Sequence, residues 1–155
     1  NFVTKAGVRT FEAAAFLRRN GADVTRVRKM FREEANDYRA KADAVSQAKI
    51  FMNEYAFSVC QVDNVSSPTV VGAQAANELL NIIGIKASFV FTEYNDTIFI
   101  SARSIDELNV QVVMEKLGGG GHINVAGAQM KDVTVEQACE KLKEVLIEMK
   151  EQGEL

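Results

Sequence analysis

Four consecutive glycines, Gly118, Gly119, Gly120 and Gly121, stand directly before His122, the only histidine among 155 residues. Glycine admits positive φ and, lacking a Cβ, lets another molecule come close to the backbone amides. A row of such amides forms a concave anion site of the nest type. A histidine at its edge donates a hydrogen bond to a phosphate oxygen or carries a proton. The combination points to a phosphorylated ligand. A flexible loop with a solvent-exposed histidine has the same composition, since glycines are ordinary turn punctuation. The neighbouring residues weigh against that plainer reading.

Those neighbours begin at Ile98-Phe99-Ile100-Ser101-Ala102-Arg103-Ser104. Residues 97–102 alternate and are rich in β-formers, so they read as a strand. Arg103 falls where the strand ends, and its planar fork of donors suits phosphate. Taken alone, Arg103 reads first as a surface ion pair, and only the glycine run beside it turns the reading toward phosphate. Residues 106–117 follow, with Val110, Val113, Met114 and Leu117 at the spacing of an amphipathic helix. The C-terminus of that helix faces the glycines and carries partial negative charge. The attraction for an anion must therefore come from the loop amides, Arg103 and His122.

The elements that position these residues are legible along the chain. Thr10 caps a helix to about residue 20, stopped by Gly21. Asp23 or Thr25 caps a second, with Val24, Val27, Met30 and Phe31 as its apolar stripe. Arg26, Arg28, Lys29 and Arg32 read as its solvated face. Residues 33–52 read as a third helix, free of Gly and Pro. From residue 54 the pattern changes to a strand at 55–62, a loop at 63–68 and a helix at 69–83 closed by Gly84. Strands at 87–92 and 97–102 are joined by a turn at Tyr94-Asn95-Asp96. A fourth strand is expected at 126–130. Thr134 opens a final helix with an apolar stripe from Val135 to Met149. The expected class is α/β: a small mixed sheet of about four strands covered by helices, preceded by a helical appendage. Phe89, Phe91 and Phe99 are expected in the core rather than as a base-stacking platform.

Composition agrees with a folded globular chain, at 47% hydrophobic and 25% charged. The length allows one domain, or a small domain with an appendage. A net charge of −3 argues against broad nucleic-acid coating, and leaves room for a local phosphate pocket. No window approaches the roughly 20 apolar residues of a membrane span. A cytoplasmic chain without direct membrane contact is expected, any anchor lying upstream. Cys60 and Cys139 read as small core residues of a reducing compartment, not as a disulfide.

Ser101-Ala102-Arg103-Ser104, the following helix, the Gly-Gly-Gly-Gly-His run and Asn124-Val125-Ala126-Gly127 together resemble the DHHA1 domain. That domain is the C-terminal, substrate-binding half of the DHH phosphoesterases. Val125 stands where the family pattern has alanine. Asn109-Val110-Gln111, together with Lys5-Ala6-Gly7-Val8-Arg9-Thr10-Phe11 and Gly21-Ala22-Asp23, is similar to the bacterial cyclic-di-AMP phosphodiesterases of the GdpP type. The resemblance covers nearly the whole chain and implies a phosphodiester hydrolase. In this family two manganese ions are held by Asp and His residues of an N-terminal DHH domain. Two-metal hydrolysis needs several ligands around ions roughly 4 Å apart. This chain has one histidine and no Asp-His-His triplet, so it is expected to hold neither the metals nor a catalytic residue.

In the family the last metal-binding aspartate lies just before the segment matching Asn1-Phe2, and the chain begins without methionine. It reads as a piece of a longer protein, with residues 1–52 ending the DHH domain and 53–155 forming the DHHA1 domain. The resemblance implies phosphate or substrate contacts from Ser101, Arg103, Ser104, Gly118, Gly119, Gly120, Gly121 and His122. The implied partners are a cyclic dinucleotide or short nucleotide substrate, with cyclic-di-AMP foremost, the N-terminal DHH domain, and a homodimer. Two other readings stay open. One is an oligoribonuclease or nucleotide phosphatase of the same superfamily. The other is a non-catalytic nucleic-acid-binding DHHA1 module, as attached to alanyl-tRNA synthetases; weak basicity counts against it.

Overall fold

The computed structural model describes residues 6–154. The Lys5 and Asn1-Phe2 positions used above lie outside the described residues. The chain divides into two compact units, residues 1–33 and 34–155. The first carries α1 (Val8–Arg19) and α2 (Val24–Met30). Asp23 caps α2 by accepting from the amides of Thr25 and Arg26, as its residue type favours.

The second unit is a six-stranded sheet in the order β1-β2-β3-β4-β6-β5. Its strands are β1 (Lys49–Phe51), β2 (Tyr55–Cys60), β3 (Ala87–Tyr94), β4 (Thr97–Ser104), β5 (Gly120–His122) and β6 (Val125–Lys131). Its helices are α3 (Ala35–Ser46), α4 (Pro68–Leu79), α5 (Val110–Lys116) and α6 (Val135–Glu151). Only β2 and β3 run parallel, joined through α4; the other neighbours are antiparallel. The β3–β4 turn places Asn95 and Asp96 at φ 50° and 55°, the left-handed pair that a two-residue hairpin turn requires.

Side chains alternate across the strands, so the sheet has two chemically different faces. On one, Phe57, Phe89, Phe91, Ile98, Ile100, Ala102, Ala126, Ala128 and Met130 pack beneath α5 and α6. The rings of Phe57 and Phe89 lie 5.3 Å apart. Helix α6 contributes Ala138, Leu142, Leu146 and Met149, and its start is fixed by a reciprocal Thr134–Gln137 capping box. On the other face, α4 packs Val71, Ala75, Ala76 and Leu79 against Ala56, Cys60 and Val90, with Ala44 of α3 alongside. Both cysteines are free, and burial pushes the Cys60 thiol up to about 11.

Three expectations are corrected. Residues 33–52 are not one helix: α3 ends at Ser46, and Lys49–Phe51 pairs with β2 as an edge strand. Phe51 meets Phe57 edge-to-face at 5.6 Å, a contact available only in the strand. The sheet has six strands rather than four, because β1 and β5 are three residues each, too short to show a period. Phe99 is only partly buried and lies outside both core clusters. It shares strand parity with Ser101 and Arg103, not with Ile98 and Ile100.

Candidate functional site

The glycine run is not a loop nest. Gly118 sits at φ +77°, and its amide donates to the Glu115 carbonyl at 3.0 Å while that of Gly119 donates to Met114 at 2.8 Å. These are the two bonds of a Schellman cap, and Gly118 is the left-handed residue that ends α5. The amides of Gly118 and Gly119 are therefore turned back into the helix, and the expected anion nest is corrected at these two positions. Gly120 to His122 then form the edge strand β5 against β6.

The four glycines have different reasons to be glycine. A Cβ on Gly119 would lie 2.2 Å from the Gly127 carbonyl oxygen, and one on Gly121 would lie 2.5 Å from both Val125 O and Ala126 Cα. These two let the backbones of β5 and β6 approach. A Cβ on Gly120 would meet nothing within 4 Å, so that residue faces open space.

Register gathers the polar residues into rows. Arg103 of β4 pairs with Val125 of β6, which pairs with His122 of β5. Arg103 and His122 thus stand on one face two strands apart, about 10 Å between backbones. The next row is Ser101, Gly127 and Gly120, which carries no side chain larger than a hydroxymethyl. The row beyond it pairs Phe99 with Gln129. Ser101, Gly118, Gly119, Gly120 and Gly127, with Phe99, Gln129 and Thr69, border a hollow of about 460 Å³. Arg103 and His122 form its neighbouring row.

Arg103 is partly buried, and one guanidinium nitrogen donates to the Ala102 carbonyl at 2.8 Å and to Ala126 at 3.4 Å. Among the described residues no carboxylate pairs with it. Burial alone lowers its pKa from the usual arginine value, the mark of a cation stripped of water without an anion in return. His122 is exposed.

Ser104 differs from the expectation of a phosphate contact. It is buried on the α5–α6 face, and its hydroxyl donates to the Leu108 carbonyl at 2.7 Å. Beside it, Asn124 donates to Asp106 at 2.6 Å and accepts from the Asp106 amide at 3.2 Å. This cluster ties the end of β4 to the β5–β6 turn, and so holds the Arg103 row in register. Phe99, Gln129, Thr69 and Gly127 were not marked as site residues by sequence reasoning. For the first, the signal was present: parity along 98–103 separates it from the core isoleucines. Gln129 and Thr69 each lie 30 residues from Phe99 in the chain; strand pairing brings the first beside it, and the start of α4 brings the second to the same hollow.

Among the described residues no three His, Cys, Asp or Glu side chains gather where they could hold a metal ion, and no helix is long and apolar enough to cross a membrane. The DHHA1 domain model matches residues 55–151. The chain is 42% identical over 155 residues to the cyclic-di-AMP phosphodiesterase GdpP of Geobacillus thermodenitrificans (strain NG80-2), covering 99% of this chain and 23% of that protein. It is 41% identical over 143 residues to the cyclic-di-AMP phosphodiesterase PdeA of Listeria monocytogenes, covering 92% of this chain and 22% of that protein. The chain thus spans less than a quarter of the length of these relatives. In fold it is similar to an exopolyphosphatase-related protein from Bacteroides fragilis, with a TM-score of 0.80 at 20% identity over 94% of this chain and 45% of that one. With the family pattern matched from β2 through α6, the chain belongs to the DHHA1 domain family.

Proposed function

We propose that this chain is the substrate-binding part of a DHH-type phosphodiesterase acting on cyclic-di-AMP. The observation that carries the reading is Arg103: a half-buried guanidinium without a carboxylate, on the same face and in the same register row as the lone histidine. An anionic group seated there restores the interaction that burial removed. Arg103 offers its free fork to two phosphate oxygens, and His122 donates to a third from the opposite edge. The glycine row lets the substrate lie close to the sheet. Identity above 40% with two proteins named cyclic-di-AMP phosphodiesterases supports the choice of substrate.

The two manganese ions of the family do not fit the residues of this chain, which gather no set of metal-ligating side chains among those described. In this reading the hydrolytic chemistry belongs to a separate DHH domain, and this chain binds and orients the phosphodiester.

The test compares the 155-residue chain with a protein in which it is joined to a DHH domain. The chain alone, with manganese, is expected to leave cyclic-di-AMP intact, and the joined protein to hydrolyse it. In the latter, Arg103→Ala is expected to lower kcat/KM roughly 10- to 100-fold, the range for a charge-assisted hydrogen bond. Turnover by the isolated chain, or an unchanged kcat/KM in the variant, overturns the proposal. A higher kcat/KM on linear dinucleotides than on the cyclic one moves the protein to the oligoribonuclease reading.

A further inference from the structure

Phe99 is out of place as a core residue. Of the other sheet phenylalanines, Phe57, Phe89 and Phe91 are buried on the opposite face, and Phe51 packs partly buried against them. Phe99 instead borders the 460 Å³ hollow on the open face. Its cross-strand neighbour is Gln129, exposed, with a side-chain carboxamide that has no hydrogen-bond partner among the described residues. A ring and a free carboxamide side by side, at the margin of a hollow whose floor is backbone, present one apolar plane and one donor–acceptor pair.

The placement relative to Arg103 sets a scale. Phe99 and Arg103 are four residues apart on β4, about 13 Å of strand, and the intervening row is Ser101, Gly127 and Gly120. A nucleotide has this layout: an anion at one end, a hydroxylated sugar in the middle and a flat ring at the other end. With its phosphate at Arg103, its sugar passes over the glycine row within reach of the Ser101 hydroxyl, and its base arrives at Phe99. Both Gly120 and Gly127 contribute by absence. A Cβ on Gly120 would project into free space above the floor, and one on Gly127 would sit 2.8 Å from the Ile100 carbonyl oxygen.

From this arrangement we infer that Phe99 and Gln129 form a base subsite that selects adenine. Base faces stack on aromatic rings whatever the sequence, so Phe99 supplies affinity and Gln129 supplies choice. A carboxamide has one donor and one acceptor fixed in a plane. They match the N7 acceptor and N6 amino donor of adenine, whereas guanine shows two acceptors on the same edge. Thr69, in the first turn of α4, lines the same hollow. The inference rests on the phosphate reading of Arg103 and on the cyclic-di-AMP reading above, and adds the residues that read the base.

The test is titration of the 155-residue chain, followed by amide NMR, with AMP, GMP and ribose 5-phosphate. AMP is expected to bind at least 10-fold more tightly than ribose 5-phosphate, a stacked base adding about one decade or more. Phe99→Ala is expected to weaken AMP about 10-fold while changing ribose 5-phosphate by less than about 2-fold. Gln129→Ala is expected to bring AMP and GMP to equal affinity. Arg103→Ala is expected to weaken all three ligands together. If Phe99→Ala loses the dispersed spectrum of a folded chain, Phe99→Leu keeps the apolar volume and must show the same split.

Equal affinity of AMP and ribose 5-phosphate overturns the base subsite while leaving the phosphate site standing. So does equal weakening of both ligands by the Phe99 variants, or AMP-induced shifts that spare residues 99 and 129. Failure of ribose 5-phosphate to bind while AMP binds through Phe99 overturns the phosphate reading instead. Absence of binding by any of the three overturns both.

Discussion

Strands β4 and β6 carry two faces that share every backbone atom and differ in what covers them. Ile98, Ile100, Ala102, Ala126, Ala128 and Met130 lie under α5 and α6 and are buried. Phe99, Ser101, Arg103, Val125, Gly127 and Gln129 alternate with them and are left partly or fully exposed. The closed face holds the sheet together by burying apolar area. The open face keeps a cation without a carboxylate, which does not help the fold, beside a floor with no side chain larger than a hydroxymethyl. Stability and binding are thus separated by strand parity, and a single-residue slip in register would exchange them.

The strongest way to break that separation is to compare two phenylalanines. Phe89→Ala is expected to cost about 3–5 kcal/mol, as for a fully enclosed ring. Phe99→Ala, on the open face, is expected to cost roughly 1 kcal/mol, in proportion to its smaller buried area. Denaturant unfolding measures both, and equal losses would show that Phe99 is a core residue after all.

Two glycines sharpen the comparison at the scale of one methyl group. Gly119→Ala forces a Cβ into the Gly127 carbonyl and is expected to reach the upper end of the roughly 1–3 kcal/mol typical of overpacking, because backbone cannot step aside. Gly120→Ala is expected to change stability by less than about 0.5 kcal/mol, yet to weaken phosphate-ligand binding by rising from the floor. Melting curves paired with ribose 5-phosphate titration separate the two, and a destabilised Gly120→Ala would remove Gly120 from the site.

On the open face, Arg103→Ala is expected to leave the melting temperature unchanged or slightly raised. It removes a cation that burial penalises and that has no carboxylate to lose. A marked drop in melting temperature would mean that its bonds to the Ala102 and Ala126 carbonyls are its main role. His122→Ala, at an exposed residue, is expected to weaken phosphate ligands about 5-fold, as for one net hydrogen bond of about 1 kcal/mol, with no thermal change. A cooperative loss of fold in this variant would overturn its placement at a free edge.

The smallest effect concerns the helical cover of the other end of the same face. Asp37 of α3 accepts from the Ser66 amide at 2.9 Å and from its hydroxyl at 2.5 Å, tying α3 to the loop before α4. Those two bonds hold its carboxyl below the usual range. A folded pKa below the unfolded one stabilises above the ordinary carboxylate value and loses that contribution as pH falls through the lowered value. Asp37→Asn is therefore expected to flatten the acid side of the stability profile, below about pH 4, with neutral-pH ligand binding unchanged. An identical acid limb in the variant would assign the acid sensitivity to other carboxylates.

Much was legible without coordinates wherever a segment carried its own period. The stripe of α6, its Thr134 start, the alternation of β3 and β4 and the Gly-His signature with the upstream arginine are properties of contiguous residues, and local chemistry sets them. The strands β1 and β5 were hidden because three residues hold no period and pair only when a neighbour offers its edge. The site itself depended on distance in the chain. Arg103 and His122 are one row, and Phe99 and Gln129 another, because β6 returns between β4 and β5 in a single register. The amides of Gly118 and Gly119 were lost to an anion because α5 needed a cap. Residue types and local order were the contribution of the sequence by itself. Which glycines pack and which stay open, and which phenylalanine leaves the core, were decided by tertiary pairing, since burial and close approach are properties of neighbours that the chain brings together only on folding.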